Sequence, residues 1–327
     1  MTADARIYTG IDLGGTKIVV LVADAAGKVL GEARMPTRAS EGPDAVIARI
    51  DECVRAAASG AGIELAAIAG AGVSAPGPID LSEGVITNPP NLPGWVDVPL
   101  ARLLAGRLGI PALLENDANC GAVGEHQYGA GRGYRHMLYV TLSTGIGGGI
   151  IIDDELYYGA SGAAGEVGHI GVSVDGPVCG AGHVGCLEAF SSGTAIANQA
   201  REMIAAGGLP RTARLAEHDP PLSAETVYLA GQQGEPEATA IIERAGRYLG
   251  IGLASLINTF NPQAIVLGGG LVNMGQTLLA PALETARARA FEQSFGNVRI
   301  VEWELGERVA ALGAIAVAKK RHAAVSS

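Results

Sequence analysis

The sequence predicts an α/β protein of two domains that share one topology. Strand-like apolar runs alternate with helix-like runs. A pattern of strand, glycine turn and strand occurs at 6–30 and again at 136–159. The 327 residues suffice for two cores. We expect a small N-terminal domain over 1–119, joined by the C-terminal helix at about 308–327, and a large domain over 120–307, with a cleft between them.

The elements of the first half follow from their local patterns. Residues 6–30 form a strand, a glycine turn, a second strand and a short third strand. Apolar residues at helical spacing and closing glycines predict a helix over 42–62. Residues 65–75 predict a buried strand that ends in the turn "PGPI". A further strand lies in 111–119, and its carboxyl end is polar.

The second half repeats the opening pattern and then continues with helices. After 136–159, an apolar helix is predicted over 237–262, stopped near Pro262, and the strand "AIVLGGG" follows. Residues 308–324 predict a last apolar helix whose basic C-terminal residues complement the helix dipole.

Composition restricts the class of protein. A formal net charge of −10 without a basic stripe argues against nucleic-acid or anionic-membrane partners. Four scattered cysteines do not form a disulfide framework, which suits a reducing compartment. The chain has neither a signal-peptide pattern nor an apolar run of the roughly 20 residues that span a bilayer. We therefore expect a soluble cytoplasmic protein.

Two glycine turns carry the chemistry of phosphate binding. The first, "DLGGTK", matches neither the GxxxxGK[ST] loop nor GxGxxG, and by itself suits a plain hairpin turn. It nevertheless combines three features. Asp12 can orient Mg²⁺ through water, Gly14 and Gly15 permit close approach of a phosphate, and Thr16 and Lys17 supply hydrogen-bond donors. The second turn, "STGIGGG" at 143–149, has the same composition, and two such bends can clasp a polyphosphate.

The segment "ENDAN" at 115–119 has two interpretations that do not exclude each other. Asn116 and Asp117 suit the N-cap of a helix. An aspartate at a strand end also suits the base that a phosphoryl acceptor hydroxyl requires.

Taken together, the motifs resemble a known family. "GIDLGGTK", "SAPGPID", "NPPNLPGW", "LLENDAN", "TLSTGIGGG", "GAAGEVGHI", "GCLEAFSSGTAI" and "VLGGGL" occur in the order found in the ROK family of bacterial sugar kinases and sugar-responsive repressors. The resemblance covers nearly the whole chain. It implies the duplicated, ribonuclease H-like fold of the actin-like ATPase superfamily, with two domains and a cleft between them.

The resemblance also implies roles for individual residues. Asp117 would be the general base that takes the proton from the sugar hydroxyl. The sugar would be bound by Asn116, Asp117, Glu166, His169 and Glu188, with Asn91 of "NLPGW" as a further candidate. The nucleotide would be bound by the two glycine turns and by "VLGGGL", at positions Asp12, Gly14, Gly15, Thr16, Lys17, Thr144, Gly145, Gly268 and Gly269.

The implied reaction is ATP-dependent phosphorylation of a hexose, with Mg²⁺. Glucose, giving glucose 6-phosphate, is the expected acceptor, and N-acetylmannosamine, N-acetylglucosamine, mannose, fructose and allose are alternatives, as is polyphosphate as donor. The partners are then the hexose and ATP, in a homodimer or homotetramer. A non-enzymatic sugar sensor is a competing class. ROK repressors carry a DNA-binding domain before the first glycine turn, for which a turn that begins at Asp12 leaves no room.

The loop "CGAGHVGC" departs from the family pattern. ROK proteins commonly bind structural zinc through the GExGH histidine and three cysteines of a CxCGxxGC loop. His169, Cys179 and Cys186 match three of these ligands, but Ala181 replaces the central cysteine. Structural zinc prefers four protein ligands. His183 or water can fill the fourth position, or the loop holds two free thiols and no metal.

Overall fold

The computed structural model describes residues 6–217 and 222–325, with side chains described as far as His322. Within these residues the chain forms two compact units. Unit 1 comprises the chain up to Arg135, the segment Gly149–Ala164, and the chain from Trp303 onward. Unit 2 comprises His136–Gly148 and Gly165–Glu302.

The strands and helices are numbered in chain order. The strands are β1 Ile7–Leu13, β2 Lys17–Asp24, β3 Val29–Pro36, β4 Ile68–Ala75, β5 Ile79–Asp80, β6 Val85–Ile86, β7 Ala112–Asn116, β8 Met137–Leu142, β9 Ile146–Ile152, β10 Glu155–Leu156, β11 Ala264–Gly268 and β12 Arg299–Glu302. The helices are α1 Pro43–Gly60, α2 Leu100–Leu108, α3 Asp117–Tyr128, α4 Leu187–Ser191, α5 Gly193–Ala205, α6 Pro210–Ala216, α7 Ala224–Gln232, α8 Pro236–Phe260, α9 Gln276–Arg289, α10 Glu292–Asn297 and α11 Val309–Val325.

The predicted duplication is confirmed by the topology of the two five-stranded sheets. The first has the order β3-β2-β1-β4-β7, and the second has the order β10-β9-β8-β11-β12. In the first, β1 pairs antiparallel with β2 and parallel with β4. In the second, β11 pairs parallel with both β8 and β12. Both copies of the strand, glycine turn and strand pattern therefore begin a sheet of the same order.

The register of the first sheet places polar residues in one row. Asp12 of β1 is opposite Ser74 of the parallel strand β4. Ser74 is in turn opposite Glu115 of β7, which is also parallel. Because parallel strands end at the same edge of a sheet, the residues that follow this row converge at its carboxyl edge, where ligands of open α/β sheets bind.

Helix α11 packs on this sheet and on α3 through direct backbone contact. A Cβ atom built on Gly72 of β4 would lie 1.9 Å from the carbonyl oxygen of Ala314, and one on Gly10 of β1 would lie 1.9 Å from that of Ala311. On the helix itself, a Cβ on Gly313 would lie 1.8 Å from the carbonyl oxygen of Cys120 in α3. Only glycine permits approaches this close.

The element predictions from sequence are confirmed for β1 to β4, β7 to β9, β11, α1, α8 and α11. The four cysteines are free and buried. None of the described helices is long and apolar enough to cross a membrane. The domain boundary after Asn119 stays a prediction. In the division by contacts, Asn119 lies inside unit 1, together with the residues of α11.

We predict that Gly72→Ala strongly destabilises the protein, because a methyl group cannot be accommodated 1.9 Å from a backbone oxygen of α11. The expected loss in free energy of unfolding is about 3 kcal/mol, at the upper end of overpacking effects. Chemical denaturation measures it. Gly70→Ala is the matched control, because it lies in the same strand and its Cβ would meet its nearest atom at 3.5 Å. Equal stability of the two variants would contradict the packing described for α11.

Candidate active site

Three polar residues meet at the carboxyl edge of the first sheet. The Ser74 hydroxyl donates a hydrogen bond to Asp12 Oδ1 at 3.2 Å. Burial, and then the negative charge of Asp117, raises the pKa of Asp12 from 3.8 to about 7, against the lowering effects of Ser74 and Lys17. Burial and neighbouring charges act here as they do at catalytic carboxylates. Asp12 and Asp117, both predicted as site residues, are therefore close enough to interact.

The segment "ENDAN" acts as a helix cap, as one of its two interpretations predicted. Asn116 is the N-cap of α3, and its Oδ1 accepts from the backbone N–H groups of Ala118 and Asn119 at 2.9 and 3.2 Å. A Cβ atom built on Gly77 would lie 3.6 Å from the amide nitrogen of Asn116. Because Gly77 has no side chain, there is room beside this nitrogen. Asp117 is exposed, and its Oδ1 accepts from the Ala118 N–H at 2.8 Å.

The first glycine turn is a closed hairpin connection. The Gly14 N–H donates to the Lys17 carbonyl at 3.0 Å, and β1 and β2 pair up to Leu13 and Ile18. A Cβ on Gly15 would lie 3.0 Å from the carbonyl oxygen of Asn91, so the predicted sugar ligand Asn91 lies against the turn. Thr16 and Asn91 are exposed.

Lys17 forms an ion pair that the sequence did not suggest. Its Nζ lies 2.6 Å from Glu307 Oε1, and both side chains are about half exposed, at 48% and 55%. The Lys17 and Arg34 side chains, as hydrogen-bond partners, lower the pKa of Glu307. An exposed pair contributes only about 0–1 kcal/mol, so this ion pair holds the Lys17 side chain only weakly.

The second glycine turn, in unit 2, is held by Glu188. The Glu188 Oε2 atom accepts from the Ile146 N–H at 3.1 Å and would lie 2.6 Å from a Cβ on Gly145. The carbonyl oxygen of Thr144 accepts from the backbone and the side chain of Thr194, at 3.1 and 2.9 Å. Glu188 was predicted from the family pattern as a sugar ligand. The structure places it directly against the turn predicted to bind nucleotide.

The GExGH segment places its acidic and imidazole side chains next to each other. Residues Val167–His169 form a short 3-10 helix. Glu166 is exposed, and its Oε2 lies 4.0 Å from His169 Nε2. The other ring nitrogen of His169, Nδ1, lies 3.6 Å from Cys179 Sγ. His169 therefore presents one nitrogen to Glu166 and the other to the cysteine loop.

The cysteine loop forms a four-residue cluster that fits a metal ion. One ligand atom from each of His169, Cys179, His183 and Cys186 lies within 4.8 Å of the others. A tetrahedral zinc site has ligand atoms about 3.3–3.8 Å apart, given its bond lengths of about 2.0–2.3 Å. The two cysteines are buried and His183 is exposed. Burial, and then the hydrogen-bonded Cys179 thiol, raises the pKa of the Cys186 thiol.

The glycines of "VLGGGL" are explained in this structure by packing. Gly268 and Gly269 are both buried. A Cβ on Gly268 would lie 2.4 Å from the hydroxyl oxygen of Tyr139, and one on Gly269 would lie 2.3 Å from the carbonyl oxygen of Leu142, both in β8. Gly269 also has a positive φ of 87°. Their contact with a nucleotide stays a prediction.

Sequence reasoning missed four residues that the structure brings to these sites. Ser74 carried a weak signal, since it is a polar residue next to the end of a predicted strand. Glu115 is part of the "ENDAN" motif but was assigned no role. Tyr158 donates a hydrogen bond to Glu115 and lies 43 positions away, and Glu307 is 290 positions from its partner Lys17. No local pattern indicates pairs so far apart.

Two five-stranded sheets of the same strand order, each beginning with a strand, a glycine turn and a strand, define a duplicated α/β protein of the actin-like ATPase class. A model described as "ROK family" matches residues 8–321. The chain belongs to the ROK family, and the predicted fold class is confirmed.

Individual relatives include both kinases and a repressor. The glucokinase of Thermotoga maritima is 36% identical, over 95% of this chain and 97% of its own. The structure of a ROK family glucokinase from Streptomyces griseus, in complex with glucose and AMPPNP, is 32% identical with a TM-score of 0.81, covering 96% of this chain and 99% of that one. The xylose repressor of Caldicellulosiruptor bescii is 30% identical over 96% of this chain and 78% of its own.

The raised pKa of Asp12 predicts a pH-dependent penalty to stability. The pKa of about 7 in the folded protein lies above the ordinary value of 3.8, so the folded state holds this proton more tightly and stability falls as pH rises towards 7. Asp12→Asn removes the penalty. The free energy of unfolding of Asp12→Asn, relative to that of wild type, should increase by on the order of 2 kcal/mol between about pH 5.5 and about pH 8.5. One pKa unit corresponds to about 1.36 kcal/mol.

Urea unfolding without Mg²⁺ or nucleotide measures this difference at the two pH values. Asp44→Asn, at an exposed aspartate in the first turn of α1, is the matched control. A difference between Asp12→Asn and wild type that is independent of pH would show that Asp12 does not titrate near neutrality.

Proposed function

We propose that this chain is a sugar kinase that transfers the terminal phosphoryl group of ATP to glucose, giving glucose 6-phosphate. The observation that carries the proposal is the convergence of Asp12, Asn116 and Asp117 at the carboxyl edge of one sheet. The similarity to glucokinases over nearly the full length supports glucose as the acceptor and ATP as the donor.

Asp117 is the proposed general base. It is exposed at the first position of α3, where a negative charge interacts favourably with the helix dipole. The carboxylate takes the proton of the sugar hydroxyl as the hydroxyl oxygen bonds to the terminal phosphorus. The bond from that phosphorus to the bridging oxygen breaks, ADP leaves, and the proton remains on Asp117.

Asp12 is the residue that would hold Mg²⁺, through water. Its donor chemistry fits, because hard divalent cations prefer carboxylate oxygens. The electrostatics fit as well, since the negative charge of Asp117 contributes to the raised pKa of Asp12 and a cation would relieve that repulsion. When bound, Mg²⁺ neutralises charge that develops on the phosphates.

The remaining proposed ligands follow the family pattern. Sugar hydroxyls need groups that accept and donate, which Asn, Asp, Glu and His side chains supply. The sugar ligands would be Asn91, Asn116, Asp117, Glu166, His169 and Glu188. The nucleotide ligands would be Asp12, Gly14, Gly15, Thr16, Lys17, Thr144, Gly145, Gly268 and Gly269.

We expect Asp117→Ala to retain glucose binding and to lose turnover, because it lacks the base and keeps the other sugar ligands. A reduction in kcat of at least about 100-fold is expected from the loss of a general base. Coupled assays of ADP release and calorimetric titration with glucose separate the two effects. Asp44→Ala, at another exposed aspartate in the first turn of a helix, should behave as wild type. Wild-type turnover in Asp117→Ala would refute the base assignment.

We further propose that the cysteine loop holds a structural zinc ion through His169, Cys179, His183 and Cys186. The mutual distances within 4.8 Å support this set, with His183 in the role of the ligand missing at Ala181. The zinc would support the loop that carries His169, whose second nitrogen lies towards Glu166. Two thiolates and two neutral imidazoles would leave the metal site with no net charge.

Zinc retention tests the ligand set. Purified wild-type protein should hold about one zinc per chain after mild dialysis, measured by mass spectrometry of the metal. His183→Ala should bind zinc at least 10- to 100-fold more weakly, the loss typical even of outer-shell changes at metal sites. Ala181→Cys should restore the third thiolate and hold zinc more tightly, while Val184→Ala is the neutral control in the same loop. Substoichiometric zinc in wild type, or full retention in His183→Ala, would contradict the proposed ligand set.

A sugar-responsive regulator without turnover is the competing function, favoured by the similarity to a xylose repressor. A coupled assay of ATP with a panel of hexoses and N-acetylhexosamines distinguishes the two, since a regulator binds sugar without releasing ADP. The cytoplasmic location, the homodimer or homotetramer and the absence of nucleic-acid partners stay predictions from the sequence.

A further inference from the structure

A buried carboxylate directly precedes the proposed sugar ligand and base. Glu115, the last residue but one of β7, is only 3% exposed. Its Oε1 accepts from the Asn116 N–H and from the Asn119 side-chain amide, both at 2.9 Å. Its Oε2 accepts from the Tyr158 hydroxyl at 2.7 Å. A polar group this deeply buried needs hydrogen-bond partners to offset its lost hydration, and Glu115 has three donors.

Two of the three donors belong to the start of α3. The Asn116 N–H is at the N-cap, and Asn119, itself 4% exposed, lies in the first turn. Through them Glu115 fixes both the backbone and a side chain of the turn that begins with Asp117. In this turn the Ala118 N–H donates a hydrogen bond to Asp117 Oδ1 at 2.8 Å. The backbone of the turn therefore positions the carboxylate of the proposed base.

The third donor comes from a distant part of unit 1. Tyr158 follows β10 by two residues and lines an open cavity of about 660 Å³, together with residues such as Pro78, Thr87 and Arg321. Burial, and then the negative charge of Glu115, raises the pKa of the Tyr158 phenol. The phenol therefore keeps its proton near neutral pH and acts as a donor.

We propose that Tyr158 and Glu115 are a positioning pair for the phosphoryl transfer reaction. The Tyr158 hydroxyl holds the buried Glu115 carboxylate in place, and Glu115 in turn fixes the first turn of α3 and with it the carboxylate of Asp117. Neither residue is assigned contact with sugar or phosphate. The inference rests on the proposed role of Asp117 as the base.

The geometry explains why such a pair affects turnover more than binding. Proton transfer and in-line attack tolerate only small errors in the position of the base, and a displacement of about 1 Å can cost about 100-fold in rate. Binding of the sugar is shared among several proposed ligands. Loss of the pair should therefore lower kcat and leave the KM for glucose nearly unchanged.

Tyr158→Phe removes a single oxygen atom and tests the inference. We expect kcat to fall about 5- to 20-fold, a part of the loss that a fully misplaced base causes, with the KM for glucose changed less than about twofold. Tyr157→Phe is the matched control, since Tyr157 is the adjacent tyrosine, is 47% exposed and should keep wild-type kinetics. Wild-type kcat in Tyr158→Phe, or a rise in KM as large as the fall in kcat, would overturn the inference.

A double-mutant cycle separates positioning through Glu115 from a general structural effect. Glu115→Gln keeps the shape and one acceptor oxygen but removes the charge that orients the phenol. If Tyr158 acts through Glu115, the two substitutions together should lower kcat no more than the stronger one alone, and independent, multiplying effects would contradict the inference. Thermal unfolding of all variants checks that each is folded.

The Asp117→Ala variant keeps failure of this inference distinct from failure of the proposed function. If Asp117→Ala turns over at the wild-type rate, the base assignment is wrong whatever Tyr158 does. If Asp117→Ala is inactive and Tyr158→Phe has wild-type kcat, Asp117 remains the base and only the positioning pair is refuted.

Discussion

Direct backbone contact between α11 and the rest of unit 1 is the constraint on which the candidate site depends. Glycines in β1 and β4 let carbonyl oxygens of α11 approach these strands, and a glycine in α11 lets the helix approach a carbonyl oxygen of α3, at distances where no Cβ fits. Because interiors are close-packed, this contact fixes the relative positions of β1, β4 and α3. Asp12 lies on the first of these elements, Ser74 on the second and Asp117 on the third. The last helix of the chain thus sets the spacing of residues that precede it by some two hundred positions or more.

Three carboxyl groups lie at one edge of the sheet, and each has different surroundings. Glu115 is buried, and three donors stabilise its carboxylate. Asp12 accepts from Ser74, but burial, and then the negative charge of Asp117, raises its pKa to about 7. Asp117 is exposed to solvent at a helix N-terminus. The three groups thus combine a buried, hydrogen-bonded carboxyl group, a group whose pKa is raised to about 7, and a solvent-exposed carboxyl group, and separate environments of this kind are what acid–base chemistry requires.

Much of this could be predicted from sequence, and the rest has a physical reason for being missed. Periodicity and glycine turns predicted the strands, the duplication and helix α11, because these features are local. The sequence motifs identified Asp12 and Asp117 as candidate site residues. The hydrogen bond from Tyr158 to Glu115 and the ion pair of Lys17 join residues far apart in the chain, so only the fold reveals them. His183 was raised as one of several options, and tertiary proximity to the other three ligands now favours it.

The capping bonds of Asn116 have a consequence for substrate chemistry. Its amide oxygen already accepts two backbone N–H groups, so the side chain can offer a ligand only its N–H donors. A sugar hydroxyl at Asn116 must then accept through its oxygen, and its own proton must point towards another acceptor. The next residue along the chain, Asp117, is such an acceptor. At the proposed sugar site, helix capping would therefore give the hydrogen bonds of a hydroxyl a direction, from the amide through the sugar oxygen to the carboxylate.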